Sequence, residues 1–121
     1  MSAGKIVVAD DDRVGRELIR EVLEMGGYEV IEAADGIEAV RCVREAEPDL
    51  VLVDIQMPRL DGYGVLRELR ADPQFSGLRV VAVTAFAMQR DRQHARDAGF
   101  DGYISKPVDI AALRAEIRRF F

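Results

Sequence analysis

The sequence predicts an α/β domain on a five-stranded parallel sheet, wound with helices on both faces. Three observations carry this. Short apolar runs alternate along the chain with stretches of helical period. Leu50-Val51-Leu52-Val53 and Val80-Val81-Ala82-Val83 are apolar at every position, as central parallel strands buried on both faces are. The runs also end in chemistry-bearing residues. Ile6-Val7-Val8-Ala9 ends in Asp10-Asp11-Asp12, the next two end in Asp54 and Thr84, and Gly102-Tyr103-Ile104-Ser105 ends in Lys106-Pro107.

Lys5–Ala9 reads as the first strand. In the helix after it, Arg13–Met25, the i, i+4 sets Val14, Leu18, Val22 and Ile19, Leu23 form the expected apolar face, and Gly26-Gly27 ends it. Tyr28–Glu32 alternates and is expected at a sheet edge. Asp35-Gly36-Ile37-Glu38 has the shape of a capping box for a helix running to Ala46. Pro48 blocks continuation, and Asp49–Val53 follows as a buried strand. Asp61-Gly62 opens a third helix with Val65, Leu66 and Leu69 inward, and Asp72-Pro73 stops it. Arg79–Val83 is the next buried strand. Met88–Ala98 has only alanines and Met88 to bury among many charges, and is expected to pack weakly. Gly102–Ser105 is the fifth strand. Asp109 caps a last helix with Ile110, Leu113 and Ile117 inward, followed by Phe120 and Phe121. Such alternation implies right-handed crossovers. Strands of this number and length suit the doubly wound, flavodoxin-like order 2-1-3-4-5; a closed eight-stranded barrel needs about twice the length.

The 121 residues make one expected domain, 1–121, and 49% apolar content can fill its core. A net charge of −5 argues against a nucleic-acid surface, and Arg114, Arg118 and Arg119 read as a solvated helix face. One cysteine, Cys42, and one histidine exclude an internal disulfide and leave no zinc set; Cys42 reads as a packing residue. Met1-Ser2-Ala3-Gly4 is too short and polar for a signal peptide, and no apolar run reaches membrane-spanning length. The expectation is a cytoplasmic protein that begins at its natural start and ends, at Phe121, without an output domain.

Ligands of open α/β sheets bind at the carboxyl edge of the strands. In the 2-1-3 order the first and third strands are adjacent, so Asp10 and Asp11 converge with Asp54. Carboxylates that close repel unless a cation is present. Mg²⁺ suits them, since it takes oxygen ligands and keeps waters that a phosphate can replace. Asp12 is the member of the triplet expected to cap the following helix instead. Thr84 can donate to a phosphoryl oxygen and Lys106 can neutralise one, so the edge has the equipment for phosphoryl transfer. Lys106-Pro107 restricts the lysine's backbone and admits a cis bond.

Lys5 through Asp12, Asp54-Ile55-Gln56-Met57-Pro58-Arg59-Leu60-Asp61-Gly62, Val83-Thr84-Ala85 and Tyr103-Ile104-Ser105-Lys106-Pro107 together resemble the receiver domains of bacterial two-component response regulators. Val80 through Met88, with Asp54-Ile55-Gln56, is most similar to stand-alone DivK-type regulators of cell division and polarity. The resemblance implies that Asp54 is the phosphoacceptor and that Asp10 and Asp11 are the metal-binding acids, with Asp11 the direct ligand. It implies that the Gln56 carbonyl also ligates Mg²⁺, that Thr84 is the switch hydroxyl, that Lys106 binds phosphate, and that Tyr103 turns inward on activation. Arg13 departs from the proline common at its position, with no catalytic consequence.

The function so implied is a signalling module rather than an enzyme, with only slow self-catalysed phosphorylation and dephosphorylation. A sensor histidine kinase or histidine phosphotransfer protein donates to Asp54, and the phosphorylated form changes protein partner. The expected partner face comprises Met88–Ala98, Gly102–Ser105 and Asp109–Phe121, with Gln89, Arg92, Gln93 and Arg96 exposed. Gln56 and Phe86, each two residues past an active-site residue, are expected to tune the phosphoryl lifetime. One alternative is a receiver excised from a hybrid kinase or multidomain regulator. Another is a haloacid-dehalogenase-like phosphohydrolase, disfavoured because Gln56 stands where that class needs a general acid. Flavin binding is a third, disfavoured because Asp10–Asp12 would repel the cofactor's phosphate.

Overall fold

The structure, a computed structural model, describes residues 2–85 and 88–121. Its elements are β1 (Lys5–Ala9), α1 (Arg13–Met25), β2 (Glu29–Ala33), α2 (Gly36–Ala46), β3 (Leu50–Asp54), α3 (Gly62–Ala71), β4 (Arg79–Thr84), α4 (Gln89–Ala98), β5 (Gly102–Ser105) and α5 (Ile110–Arg118). The sheet is five-stranded and parallel, in the order β2-β1-β3-β4-β5. This is the expected flavodoxin-like arrangement, with the alternating strand β2 at an edge.

Register decides what meets at the carboxyl edge. Ala9 pairs with Val53, so Asp10 emerges beside Asp54. Asp54 pairs with Val83 and Thr84 with Ser105, so Thr84 and Lys106 emerge along the same edge. Side chains alternate between the sheet faces. Val7, Val51, Val53, Val80 and Ala82 join a core with Val43, Leu66, Leu69 and Phe100. Ile6, Val8, Leu52, Val81 and Val83 join the opposite core with Ile19, Leu23, Leu113 and Ile117.

Local chemistry ends the helices as expected at most sites. The Asp35 carboxylate accepts from the Glu38 amide at 2.8 Å, and the Asp61 carboxylate from the Gly64 amide at 2.8 Å. At Gly62 a side chain is excluded outright: a Cβ there would sit 2.7 Å from the Asp54 carbonyl oxygen. That close approach lets the loop after β3 fold back onto the strand, and the Gly62 amide donates to the Ile55 carbonyl at 2.9 Å.

Several expectations need correction. Val14 is 77% exposed and Leu18 is exposed too, because α1 buries only the stripe of Ile19, Val22 and Leu23. Ile110 is exposed at the mouth of α5, whose buried residues are Leu113 and Ile117. Asp12 occupies the N-cap of α1 but makes no side-chain cap bond; its own amide donates to Asp10 Oδ1 at 2.9 Å. Parallel pairing draws β2 and β3 one residue later than expected and extends β4 to Thr84. Met88 caps α4 rather than joining it. Among the described residues, no helix is long and apolar enough to cross a membrane.

Candidate functional site

Asp10 follows β1 and is almost fully buried. Its amide donates to the Ala33 carbonyl at 3.1 Å, and its Oδ1 accepts from Asp12. Its Oδ2 lies 2.8 Å from Lys106 Nζ, an ion-pair contact without the alignment of a hydrogen bond. Asp54, the last residue of β3, is likewise buried; Oδ1 accepts from the Gln56 amide at 3.0 Å and Oδ2 from Lys106 Nζ at 2.7 Å. Asp11 is exposed. One carboxylate oxygen from each of Asp10, Asp11 and Asp54 falls within 4.8 Å of the others.

Lys106 is positioned by the sheet, since its amide donates to the Thr84 carbonyl at 2.8 Å. Its peptide bond to Pro107 is cis. Thr84 is buried at the end of β4. The expected members of the site therefore share one edge. Tyr103 is half-buried on β5, against the core that α3 and α4 cover. The Arg92 guanidinium lies 5.3 Å from its ring centroid and donates to Ser105 Oγ at 2.8 Å. The Gln56 side chain is exposed, and Phe86 lies outside the described residues.

The charges do not cancel. Burial raises the Asp54 carboxyl above the ordinary aspartate value; its bonds from Lys106 and Gln56 oppose this without reversing it, and Asp10 pushes it further up. Burial alone would lower Lys106, but the Asp10 and Asp54 carboxylates override it and hold the ammonium above the ordinary lysine value. Three carboxylates thus face one ammonium. A buried carboxylate oxygen without an aligned hydrogen bond and a third carboxylate at the rim fit a hard, oxygen-seeking divalent cation. Beside them opens a groove of about 670 Å³ lined by Asp11, Gln56, Met57, Pro58, Asp61 and Tyr63.

Sequence reasoning passed over one residue at this edge. Arg16 donates to the Asp10 carbonyl at 2.7 Å. The available signal was its place on α1, three residues before Ile19 and seven before Leu23, on the stripe that faces the sheet.

Fold and edge together define the class, a phosphorelay-type signalling domain. The response regulator receiver domain family matches residues 6–118, and the chain belongs to that family. It is 36% identical to the polar-differentiation response regulator DivK of Brucella anthropi over 115 residues, covering 95% of this chain and 94% of that one. Among solved structures it resembles the receiver domain of a sensor histidine kinase from Pseudomonas aeruginosa, which has a magnesium ion coordinated in its active-site cleft. That likeness is at 35% identity and TM-score 0.89, over 98% of each chain. The chemotaxis response regulator CheY4 of Vibrio cholerae superposes with TM-score 0.91 at 26% identity, over 100% of this chain and 99% of that one. Neither the dehalogenase nor the flavin-binding reading describes a chain of this family.

Proposed function

We propose that the domain, residues 1–121, takes a phosphoryl group onto Asp54 from a phosphohistidine of a sensor histidine kinase or phosphotransfer protein, in the cytoplasm. The observation that carries this is the Asp54 carboxylate held by Lys106 within reach of Asp10 and Asp11. An Asp54 oxygen attacks phosphorus, the P–N bond to the donor imidazole breaks, and its electron pair returns to that nitrogen. Asp10, Asp11 and Asp54, with the Gln56 carbonyl, would hold Mg²⁺, which supplies charge neutralisation for the phosphoryl oxygens. Lys106 keeps its proton throughout and faces the same oxygens. A small-molecule donor such as acetyl phosphate reacts slowly at the same Asp54 oxygen, the P–O bond breaking and its electron pair leaving with acetate. Hydrolysis is slow self-catalysis in which water attacks phosphorus and the Asp54 carboxylate leaves. The Gln56 side chain orients the attacking water, and Phe86 lengthens the phosphoryl lifetime by limiting the access of water.

Once Asp54 is phosphorylated, the Thr84 hydroxyl turns to a phosphoryl oxygen and the Tyr103 ring moves into the space beside β4. Downstream proteins read this on the face of α4, β5 and α5, where Gln89, Arg92, Gln93 and Arg96 are exposed. A second reading, a receiver working within a hybrid kinase, is supported by the 35% identity to a sensor kinase's receiver domain.

The test is incubation with acetyl phosphate, with and without EDTA, followed by intact mass and peptide mapping. One phosphoryl group, on Asp54, only with Mg²⁺, is expected. Modification of the Asp54→Asn protein, or full modification in EDTA, contradicts the assignment.

A further inference from the structure

Arg16 is a charged residue on a buried stripe, and such a residue needs partners. Its side chain is 14% exposed. Nη1 donates to the Asp10 carbonyl at 2.7 Å, and Nε to Glu32 Oε1 on β2 at 2.8 Å. The other Glu32 oxygen accepts from Arg20 Nη1 at 2.6 Å. Burial alone would raise the Glu32 carboxyl, but Arg20 and Arg16 hold it below the ordinary glutamate value, so it stays a charged anchor. The guanidinium therefore ties the end of β1, the first turn of α1 and the edge strand into one rigid junction.

The Asp10 carbonyl belongs to the peptide that joins Asp10 to Asp11. The preceding peptide is fixed by the Asp10 amide on the Ala33 carbonyl. Among the described residues, the Asp11 carboxylate has no hydrogen bond or ion pair of its own. Its aim toward Asp10 and Asp54 therefore rests on the backbone, and Arg16 holds that backbone. We infer that Arg16 is a positioning residue for the acid pair, fixing the Asp10–Asp11 peptide so that both carboxylates meet Asp54 around a divalent cation. This rests on the Mg²⁺ reading given above.

The test compares wild type with Arg16→Met, Arg16→Lys and Arg20→Met by calorimetric Mg²⁺ titration and thermal unfolding. Arg16→Met should weaken Mg²⁺ about tenfold, as loss of partners behind the ligands commonly does. Arg16→Lys, which keeps the charge and can serve one of the two acceptors, should fall between it and wild type. Arg20→Met breaks the exposed pair with Glu32 but not the bond to Asp10, and should change affinity by about twofold or less. An unchanged Mg²⁺ affinity in Arg16→Met beside a lowered melting temperature overturns the inference, as does an equal loss in Arg20→Met. If Arg16→Met does not fold, Arg16→Lys carries the comparison alone. If the wild type binds no Mg²⁺, the metal reading fails. The positioning role is then decided in metal-free protein by the Asp11 and Asp12 amide resonances. They should move more in Arg16→Lys than in Arg20→Met, and equal movement overturns it.

Discussion

Helices α3 and α4 cover the same face of the sheet and are each 10 residues long, yet they are held very differently. α3 buries Gly62, Gly64, Val65, Leu66 and Leu69, and the Asp61 carboxylate caps its first turn. α4 buries Ala95 alone; its N-terminus is tied by the Met88 amide to the Asp91 carboxylate at 3.2 Å. Each large aliphatic side chain fully buried is worth about 1.5–3 kcal/mol, so α4 adheres to the sheet by several kcal/mol less than α3. Moving parts are drawn from the low-stability end of a fold. The cleft shows the opposite design, with Asp10, Asp54 and Lys106 joined at 2.7 and 2.8 Å. A tightly bonded site thus sits one strand from a loosely bound helix, and in the proposed switch a charge change at the first would be read in the second.

The contrast breaks most readily at the core. Leu66→Ala should cost about 2–5 kcal/mol in urea unfolding. Ala95→Gly, at the one buried contact of α4, should cost about 1 kcal/mol. Equal losses would show that α4 is anchored as firmly as α3. Lys106→Met comes next. It leaves two buried carboxylates without their shared ammonium and should cost about 1–3 kcal/mol, part of it recovered on adding Mg²⁺. No recovery would argue that the carboxylates do not share a cation.

A smaller effect is expected at Arg92. Its guanidinium contacts the Tyr103 ring as a cation–π pair and Ser105 through a hydrogen bond, and such a cation–π contact is worth about 0.5–1 kcal/mol. Arg92→Ala should cost about 0.5–1 kcal/mol and shift the Tyr103 ring resonances in unphosphorylated protein toward those of the activated state. Identical ring signals before and after the substitution would remove Arg92 from the account.

The pH dependence follows from three groups. Lys106 is raised, so its contribution is complete below the ordinary lysine value and is lost as pH rises through the folded one. Glu32 is lowered, so its contribution is present above the ordinary glutamate value and lost as pH falls through the lowered one. Asp54 is raised, so the native state binds its proton more tightly than the unfolded chain does, and stability falls as pH climbs from the ordinary aspartate value through the raised one. Without Mg²⁺, Asp54→Asn should therefore be more stable than wild type at neutral pH and should lose this component of the profile. A less stable Asn variant at neutral pH contradicts that sign.

The elements and their order were legible because local signals agreed. Asp35-Gly36 and Asp61-Gly62 mark helix starts, and unbroken valine and leucine runs mark central strands. The cleft was legible because parallel topology sends every strand's carboxyl end to one edge. Faces were harder. Val14, Leu18 and Ile110 have helical spacing, but a short helix has two candidate stripes, and only tertiary packing chooses Ile19 and Leu23 over them. Asp12 holds the N-cap position of α1, yet its carboxylate makes no cap bond, while its amide donates to Asp10 Oδ1. The sequence shows Arg16 only as a charge on the inward stripe of α1; what it clamps is not legible, because its partner Glu32 lies on another element and its other acceptor is a backbone carbonyl.

The most direct test of a rigid cleft coupled to a loose helix is amide hydrogen exchange with and without Mg²⁺ and beryllofluoride, for wild type and Asp54→Asn. Wild type should change protection in α4 and β5 while α3 keeps its own, and Asp54→Asn should not respond. A response as large in α3 as in α4, or one that survives in Asp54→Asn, would contradict that coupling.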